Sequence, residues 1–211
     1  DLSITVLHYN RWDLTKDCLA SILQQDIPCT HEILIVDNGS IPPLGWKVDD
    51  TWWNEMYLKK HASVTAHPVI VHYDTNQGHI VGQNRCFESA QGEWVLFVAN
   101  DVRLKQHCVQ HLLEARTEPL KGWWNGHADC QIFQPTLLTP TKRLDNWGLQ
   151  WYWPGYGISH RTWLWHPTAF AGSCYLMPRR LWQEQGFDQQ LETSHEDIDF
   201  CLAVQQRNSF P

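Results

Sequence analysis

Uninterrupted apolar runs alternate with amphipathic stretches along the first hundred residues. Segments 2–7 (LSITVL), 32–37 (EILIVD), 69–73 (VIVHY) and 93–98 (EWVLFV) place apolar side chains in succession, with little alternation. That pattern marks strands buried on both faces. Between them, Leu14, Cys18, Ile22 and Leu23 follow helical spacing behind Asp13, a residue suited to capping. A second helix over 79–90 carries Ile80, Val81, Asn84 and Phe87 on one side. The alternation predicts an α/β fold with a mostly parallel central sheet flanked by helices.

The pattern loosens after residue 104. Segment 131–177 is rich in Trp, Tyr, Gly and Pro, with short strand-like pieces (QIFQPTLL, LQWYW, AFAGSCYLM). It predicts a smaller mixed or antiparallel extension with long loops. Pro178 opens a short helix that runs to Gln185 and stops at Gly186. HEDIDFCLAVQQR (195–207) predicts a loop feeding a helix that buries Ile198, Cys201 and Leu202.

Ligands of open parallel sheets bind beyond the carboxyl ends of the strands. Four polar clusters fall there: His8-Tyr9-Asn10, Asp37-Asn38, Asn76-Gln77-Gly78 and Asn100-Asp101. Their convergence on one edge is more informative than any one of them. Taken alone, Asp37 in DNGS fits an Asx-turn, and Asp101 before VRLKQH fits a helix cap.

Composition narrows the partners. A net charge of −7 leaves no basic stripe for nucleic acid, so a nucleic-acid binder is excluded, while a nucleotide ligand is not. No run approaches the length of a membrane span. The seven cysteines are scattered and never form a CxxC pair, which points to reduced, buried thiols in a cytoplasmic protein. Thirteen tryptophans are more than one core readily absorbs, so some are expected to line a binding surface. The chain opens directly in a strand without Met and stops just after a helical pattern, as expected of a piece of a longer protein.

In this order the segments resemble family 2 glycosyltransferases of GT-A fold, in particular the bacterial polysaccharide and rhamnosyltransferase-like branch. ITVLHYNRWDLTKDCLASIL with EILIVDNGS is similar to the family's opening strand-helix-strand unit. NQGHIVGQNRCFESAQGEWVLFVANDV is similar to its middle segment, which ends in a DxD-type motif. AFAGSCYLMPRRLWQEQGFDQQLETSHEDIDFC is similar to its acceptor-side segment with GFD and ED motifs. About 45–68 and 120–165 match poorly.

The resemblance implies a single GT-A domain over 1–211, with a nucleotide-binding half (1–104) and an acceptor-binding half (105–211), truncated at the C-terminus. Its partners would be a UDP-, TDP- or GDP-linked sugar and a saccharide or glycolipid acceptor, with further domains in a longer protein. Asp37 would accept a hydrogen bond from the base, bordered by Tyr9 and Asn10. Asn76, Asn84 and Asn100 would lie near the nucleotide. Asp101 would hold Mg2+ or Mn2+ against the diphosphate. Asp197 would be the base of an inverting transfer, with Glu196 beside it. Gly172, Trp151 and Trp153 would line the acceptor side, and Trp147, Trp163 and Trp165 crowd the same segment. Asp188 has a structural or acceptor-side role, and Asp199 serves the helix end. The implied location is cytoplasmic, compatible with a peripheral position at the inner face of a membrane.

Two departures stand out. Ala99 occupies the first acidic position of the DxD-type motif, and the first basic residue after the ED pair is Arg207. They keep a competing expectation open: a non-catalytic glycan- or partner-binding module derived from a glycosyltransferase domain. A sugar nucleotidyltransferase fits less well, because a Gly-rich, basic pyrophosphate loop is absent near the N-terminus. His107 and His111 lie one helical turn apart without an evident third metal ligand, which favours a solvent-facing pair.

Overall fold

A sheet of five strands organises the chain in a computed structural model that describes residues 1–44, 68–116, 132–146, 149–152, 156–159, 169–192 and 194–208. Strands β1 (Leu2–His8), β2 (His31–Asn38), β3 (Val69–Tyr73) and β4 (Trp94–Ala99) correspond to the four apolar runs within a residue at either end. They are parallel, and β9 (Cys174–Pro178) joins the edge of β4 in the antiparallel sense, giving the order β3-β2-β1-β4-β9.

Register divides the side chains between the two faces. Ile4 and Val6 of β1 stand beside Ile33 and Ile35 on one side and Leu96 and Val98 on the other. This face packs on Cys18, Leu19 and Ile22 of α1 (Trp12–Leu23) and on Val109, Leu112 and Leu113 of α3 (Cys108–Ala115). The opposite face carries Leu34, Val36, Val95, Phe97, Tyr175 and Met177. It is covered by Ile80, Cys86 and Phe87 of α2 (His79–Ser89), Leu181 of α4 (Arg179–Gln185), and Ile198, Phe200 and Val204 of α5 (Glu196–Asn208). Burial on both faces is why β1, β2 and β4 are largely apolar, while β3 at the sheet edge is partly exposed.

Three sequence expectations change. Asp13 does not cap α1: Arg11 is the N-cap residue, and the Asp13 carboxylate instead pairs with the Arg11 guanidinium at 2.8 Å. Val81 and Leu202 are half-buried, whereas Gln83 and Arg85 of α2 are buried. Segment AFAGSCYLM supplies the antiparallel fifth strand of the main sheet instead of a strand of the extension. The extension contributes two antiparallel ribbons, β5 (Leu137–Leu138) with β6 (Leu144–Asn146) and β7 (Leu149–Tyr152) with β8 (Tyr156–Ser159). Trp151 lies in β7, and Trp147, Trp153, Trp163 and Trp165 lie outside the described residues. No helix among the described residues is long and apolar enough to cross a membrane.

Candidate active site

Parallel pairing brings the ends of β1 to β4 to one edge, and with them Tyr9, Asn10, Asp37, Asn76, Asn100 and Asp101. Asn10 has left-handed backbone (φ 56°), and its side-chain oxygen accepts from the Ile41 N–H at 2.9 Å. Its own N–H donates to Ser40 Oγ at 2.9 Å, so the β1 end is laced to the loop after β2. Tyr9 beside it is 44% exposed.

Asp37 is fully covered. One carboxylate oxygen accepts from the Ser40 N–H at 3.0 Å, and the other from the Leu44 N–H at 2.8 Å and lies 3.0 Å from His72 Nδ1. Burial pushes its pKa up, but these hydrogen bonds outweigh burial and hold the carboxyl below its ordinary value. As placed, Asp37 fastens its own loop, and the Asx-turn reading describes what its oxygens do. Asn38 extends the lacing: its amide donates to Asn76 Oδ1 at 3.0 Å and to the Gly78 carbonyl at 2.9 Å. Its carbonyl oxygen accepts from Arg85 at 2.6 Å, and that guanidinium lies 3.8 Å above the Tyr73 ring. Gly39 (φ 82°) must be glycine here, because a Cβ would stand 2.4 Å from the Asn76 nitrogen.

Asn84 lies in the middle of α2 and faces the segment after α4. Its oxygen accepts from Trp182 Nε1 at 2.8 Å and from the Phe187 N–H at 2.9 Å, and its NH2 donates to the Phe187 carbonyl at 2.9 Å. It clamps the GFD segment to α2, and these contacts engage its amide. Asp188 caps the 3-10 turn Gln189–Leu191 by accepting from the Gln190 N–H at 2.9 Å.

Asn100 and Asp101 form the turn after β4. Asn100 donates to Thr15 Oγ1 at 3.1 Å, and Asp101 is exposed. Among the described residues no three His, Cys, Asp or Glu side chains come together as metal ligands, and this includes His107 and His111. Among the described residues of this turn Asp101 offers the carboxylate, and an ion held there would need further oxygen ligands such as those of a diphosphate.

The second cluster is built from β9, α2 and the start of α5. Glu196 and Asp197 are 5% and 9% exposed. Asp197 accepts from the Gly172 N–H at 3.1 Å and from the Ile198 N–H at 2.8 Å. Burial and the adjacent Glu196 carboxylate push its pKa up to about 6 despite those donors. A Cβ on Gly172 would lie 2.9 Å from Glu196 Oε1, so glycine is what allows the acid pair to sit against this backbone. Glu196 Oε1 accepts from Gln83 Nε2 at 2.7 Å and lies 3.7 Å from His79 Nε2. Tyr175 in turn donates to Gln83 Oε1 at 2.6 Å.

Sequence reasoning missed His79, Gln83 and Tyr175. The first two carried a signal, since polar residues four apart on a helix that opens at a strand end share one face.

A doubly wound parallel sheet with one reversed edge strand, a polar edge and a raised carboxylate beside it is the arrangement of a GT-A glycosyltransferase domain. The family described as glycosyl transferase family 2 matches residues 3–186, and the chain belongs to it. Over 117 residues the chain is 28% identical to the putative teichuronic acid biosynthesis glycosyltransferase TuaG of Bacillus subtilis (strain 168), covering 56% of this chain and 42% of that protein. Solved structures share the fold. TarS 1–349 of S. aureus aligns with a TM-score of 0.54 at 18% identity, over 96% of this chain and 54% of that one. The mannosyltransferase PcManGT of Pyrobaculum calidifontis, in complex with GDP-Man and Mn2+, aligns at 0.56 and 17%, over 89% and 47%. The chain thus spans about half the length of these proteins or less.

Proposed function

We propose that this domain is an inverting glycosyltransferase that moves a sugar from a nucleoside-diphosphate donor to a hydroxyl of a saccharide or glycolipid acceptor during glycan synthesis. The observation that carries the reading is Asp197: a buried carboxylate, raised to about 6, fixed by backbone donors next to a glycine. A general base works best with a pKa near the operating pH. The acceptor oxygen attacks the anomeric carbon as its proton passes to Asp197, and the bond to the diphosphate breaks on the opposite face of the sugar.

The donor would lie along the edge formed by Tyr9, Asn10, Asn76, Asn100 and Asp101, with Asp37 shaping the loop beneath the base. Mg2+ or Mn2+ held by Asp101 would neutralise charge on the departing diphosphate. That a relative of this fold is described with GDP-Man and Mn2+, and TarS with UDP-GlcNAc, supports this class of donor.

The test is a thermal-shift panel of UDP-, TDP- and GDP-sugars with and without Mn2+, followed by the anomeric configuration of the product. At least one donor should stabilise the domain, and the product anomer should be inverted. No stabilisation by any donor would favour the binding-module reading, for which Ala99 in the DxD-type motif is the supporting observation.

A further inference from the structure

Arg85 of α2 is buried behind the polar edge, and its guanidinium holds three oxygens there. One nitrogen donates to Asn38 Oδ1 at 2.6 Å and to the Thr75 carbonyl at 3.3 Å, and another donates to Gln77 Oε1 at 2.8 Å. A guanidinium only donates, so Asn38 faces it with oxygen and turns its NH2 the other way. The Gly78 carbonyl, which only accepts, meets that NH2 at 2.9 Å and fixes the same orientation from the far end. Asn38 also donates to Asn76 Oδ1 at 3.0 Å, and the Gly78 N–H reaches the same oxygen at 2.9 Å.

Two donors thus occupy the Asn76 oxygen. Its own NH2 lies at an exposed position of the edge, and among the described residues no group accepts from it. An exposed Asn amide can ordinarily turn over and offer either oxygen or N–H. Here every group that sets the orientation has a single polarity, so the amide offers N–H alone. The backbone cannot slide to relieve this, because Thr75 and Asn76 pack directly against Gly39.

We propose that Asn76 is a specificity-determining contact that offers only donors to an oxygen of the bound nucleotide, and that Arg85 and Asn38 are positioning residues that set this polarity. The partner is an acceptor, either a base carbonyl or a diphosphate oxygen, and an amino group at the same place is disfavoured. The inference rests on the nucleotide-donor reading given above. A clamp with a purely structural role would change stability and leave the response to the amide's polarity unaltered.

The experiment is calorimetric titration of the full chain with UDP, TDP, GDP and CDP in the presence of Mn2+. Asn76→Asp keeps an oxygen for Asn38 and Gly78 but puts a second oxygen where the N–H groups stood. It should weaken the nucleotide that the wild type binds most tightly by about 10-fold or more. Thr75→Asp adds the same charge on the neighbouring exposed side chain and should cost less than about 3-fold. Arg85→Lys keeps the charge without the fork. It should weaken the same nucleotide by about 3- to 10-fold, and add little in the Asn76→Asp background. Because Asn76 is exposed, its variant supplies the answer if Arg85→Lys does not fold. A loss that spares CDP assigns the acceptor to the base carbonyl that CDP replaces with an amino group, and an equal loss with every nucleotide assigns it to oxygens they share. Unchanged binding by Asn76→Asp, an equal loss in Thr75→Asp, or full additivity with Arg85→Lys overturns the proposal and leaves the donor reading standing. A wild type that binds none of the four nucleotides removes the donor reading and this inference with it.

Discussion

Replacing Asp197 by Asn should change stability and activity in opposite directions, and by amounts that depend on pH. The ordinary value of this carboxyl is 3.8, and in the folded chain it is pushed up to about 6 by burial and by Glu196. A raised carboxyl binds its proton more tightly folded than unfolded. The wild type should therefore lose stability as pH rises from about 4 to about 6, and level off above. A rise of that size corresponds to about 3 kcal/mol between those limits. Asn carries no charge and does not contribute to that slope. It also surrenders part of a carboxylate that accepts from two backbone N–H groups, at a pH-independent cost of about 1 kcal/mol. Urea denaturation of both proteins at pH 4.5 and 7.5 isolates the difference, because the pH-independent part cancels. The variant should gain on the wild type by about 2 kcal/mol between the two pH values, while transfer at pH 7.5 falls by about 100-fold or more. In the wild type, kcat/KM should drop as pH falls through about 6. A stability difference that is flat with pH refutes the raised carboxyl, and wild-type transfer by the variant refutes its role as base.

Other perturbations test separate parts of the site. Gly172→Ala brings a methyl to 2.9 Å from Glu196 Oε1, an oxygen that Gln83 prevents from yielding easily; turnover should fall about 10- to 100-fold with donor affinity retained, and unchanged turnover would show that the pair relaxes freely. Asn84→Ala leaves the Phe187 N–H and carbonyl and the Trp182 indole without their partner; thermal and denaturant unfolding should register a loss of about 2–4 kcal/mol, while calorimetry should find donor affinity little changed, and the opposite pattern would return Asn84 to the nucleotide. Asp101→Ala should abolish Mn2+-dependent strengthening of donor binding in calorimetry, and a variant that still responds to Mn2+ would place the ion elsewhere.

The parts of the fold readable from sequence are those whose cause is local. Strands β1, β2 and β4 are largely apolar because helices cover both faces, so each announces itself in about six residues, whereas the edge strand β3 is partly exposed. The membership of β9 in the same sheet is not readable in that way. Its pairing partner β4 lies some eighty positions earlier, and the choice depends on Val98 meeting Cys174 and Leu96 meeting Leu176 in three dimensions. Helix α2 shows the limit within a single element. Successive helical residues are rotated by about 100°, so Gln83 shares the His79 face and reaches Glu196, whereas Asn84 is turned towards Trp182 and Phe187. The resemblance singles out Asn84 in that stretch, and only packing distinguishes it from its neighbour Gln83. Asp37 shows the same limit: its place at a strand end is legible in the sequence, but what its oxygens face depends on a loop whose fold no periodicity encodes.

The reversal of β9 has a chemical consequence. Ligand sites of parallel sheets gather at the carboxyl ends of strands, and a parallel fifth strand would begin at the opposite edge. Because β9 runs antiparallel, its first residues lie where β4 ends: Val98 pairs with Cys174, and the Ala99 N–H donates to the Ser173 carbonyl at 2.8 Å. The next residue back is Gly172, whose N–H holds Asp197. The turn carrying Asp101 and the backbone that holds Asp197 therefore meet where these two strand ends are hydrogen-bonded. A donor diphosphate held at Asp101 and an acceptor hydroxyl presented to Asp197 would each approach from its own side of that junction. An in-line displacement needs attacking and leaving oxygens on opposite sides of one carbon, and under the proposed reading these would be the Asp197 and Asp101 sides of that junction.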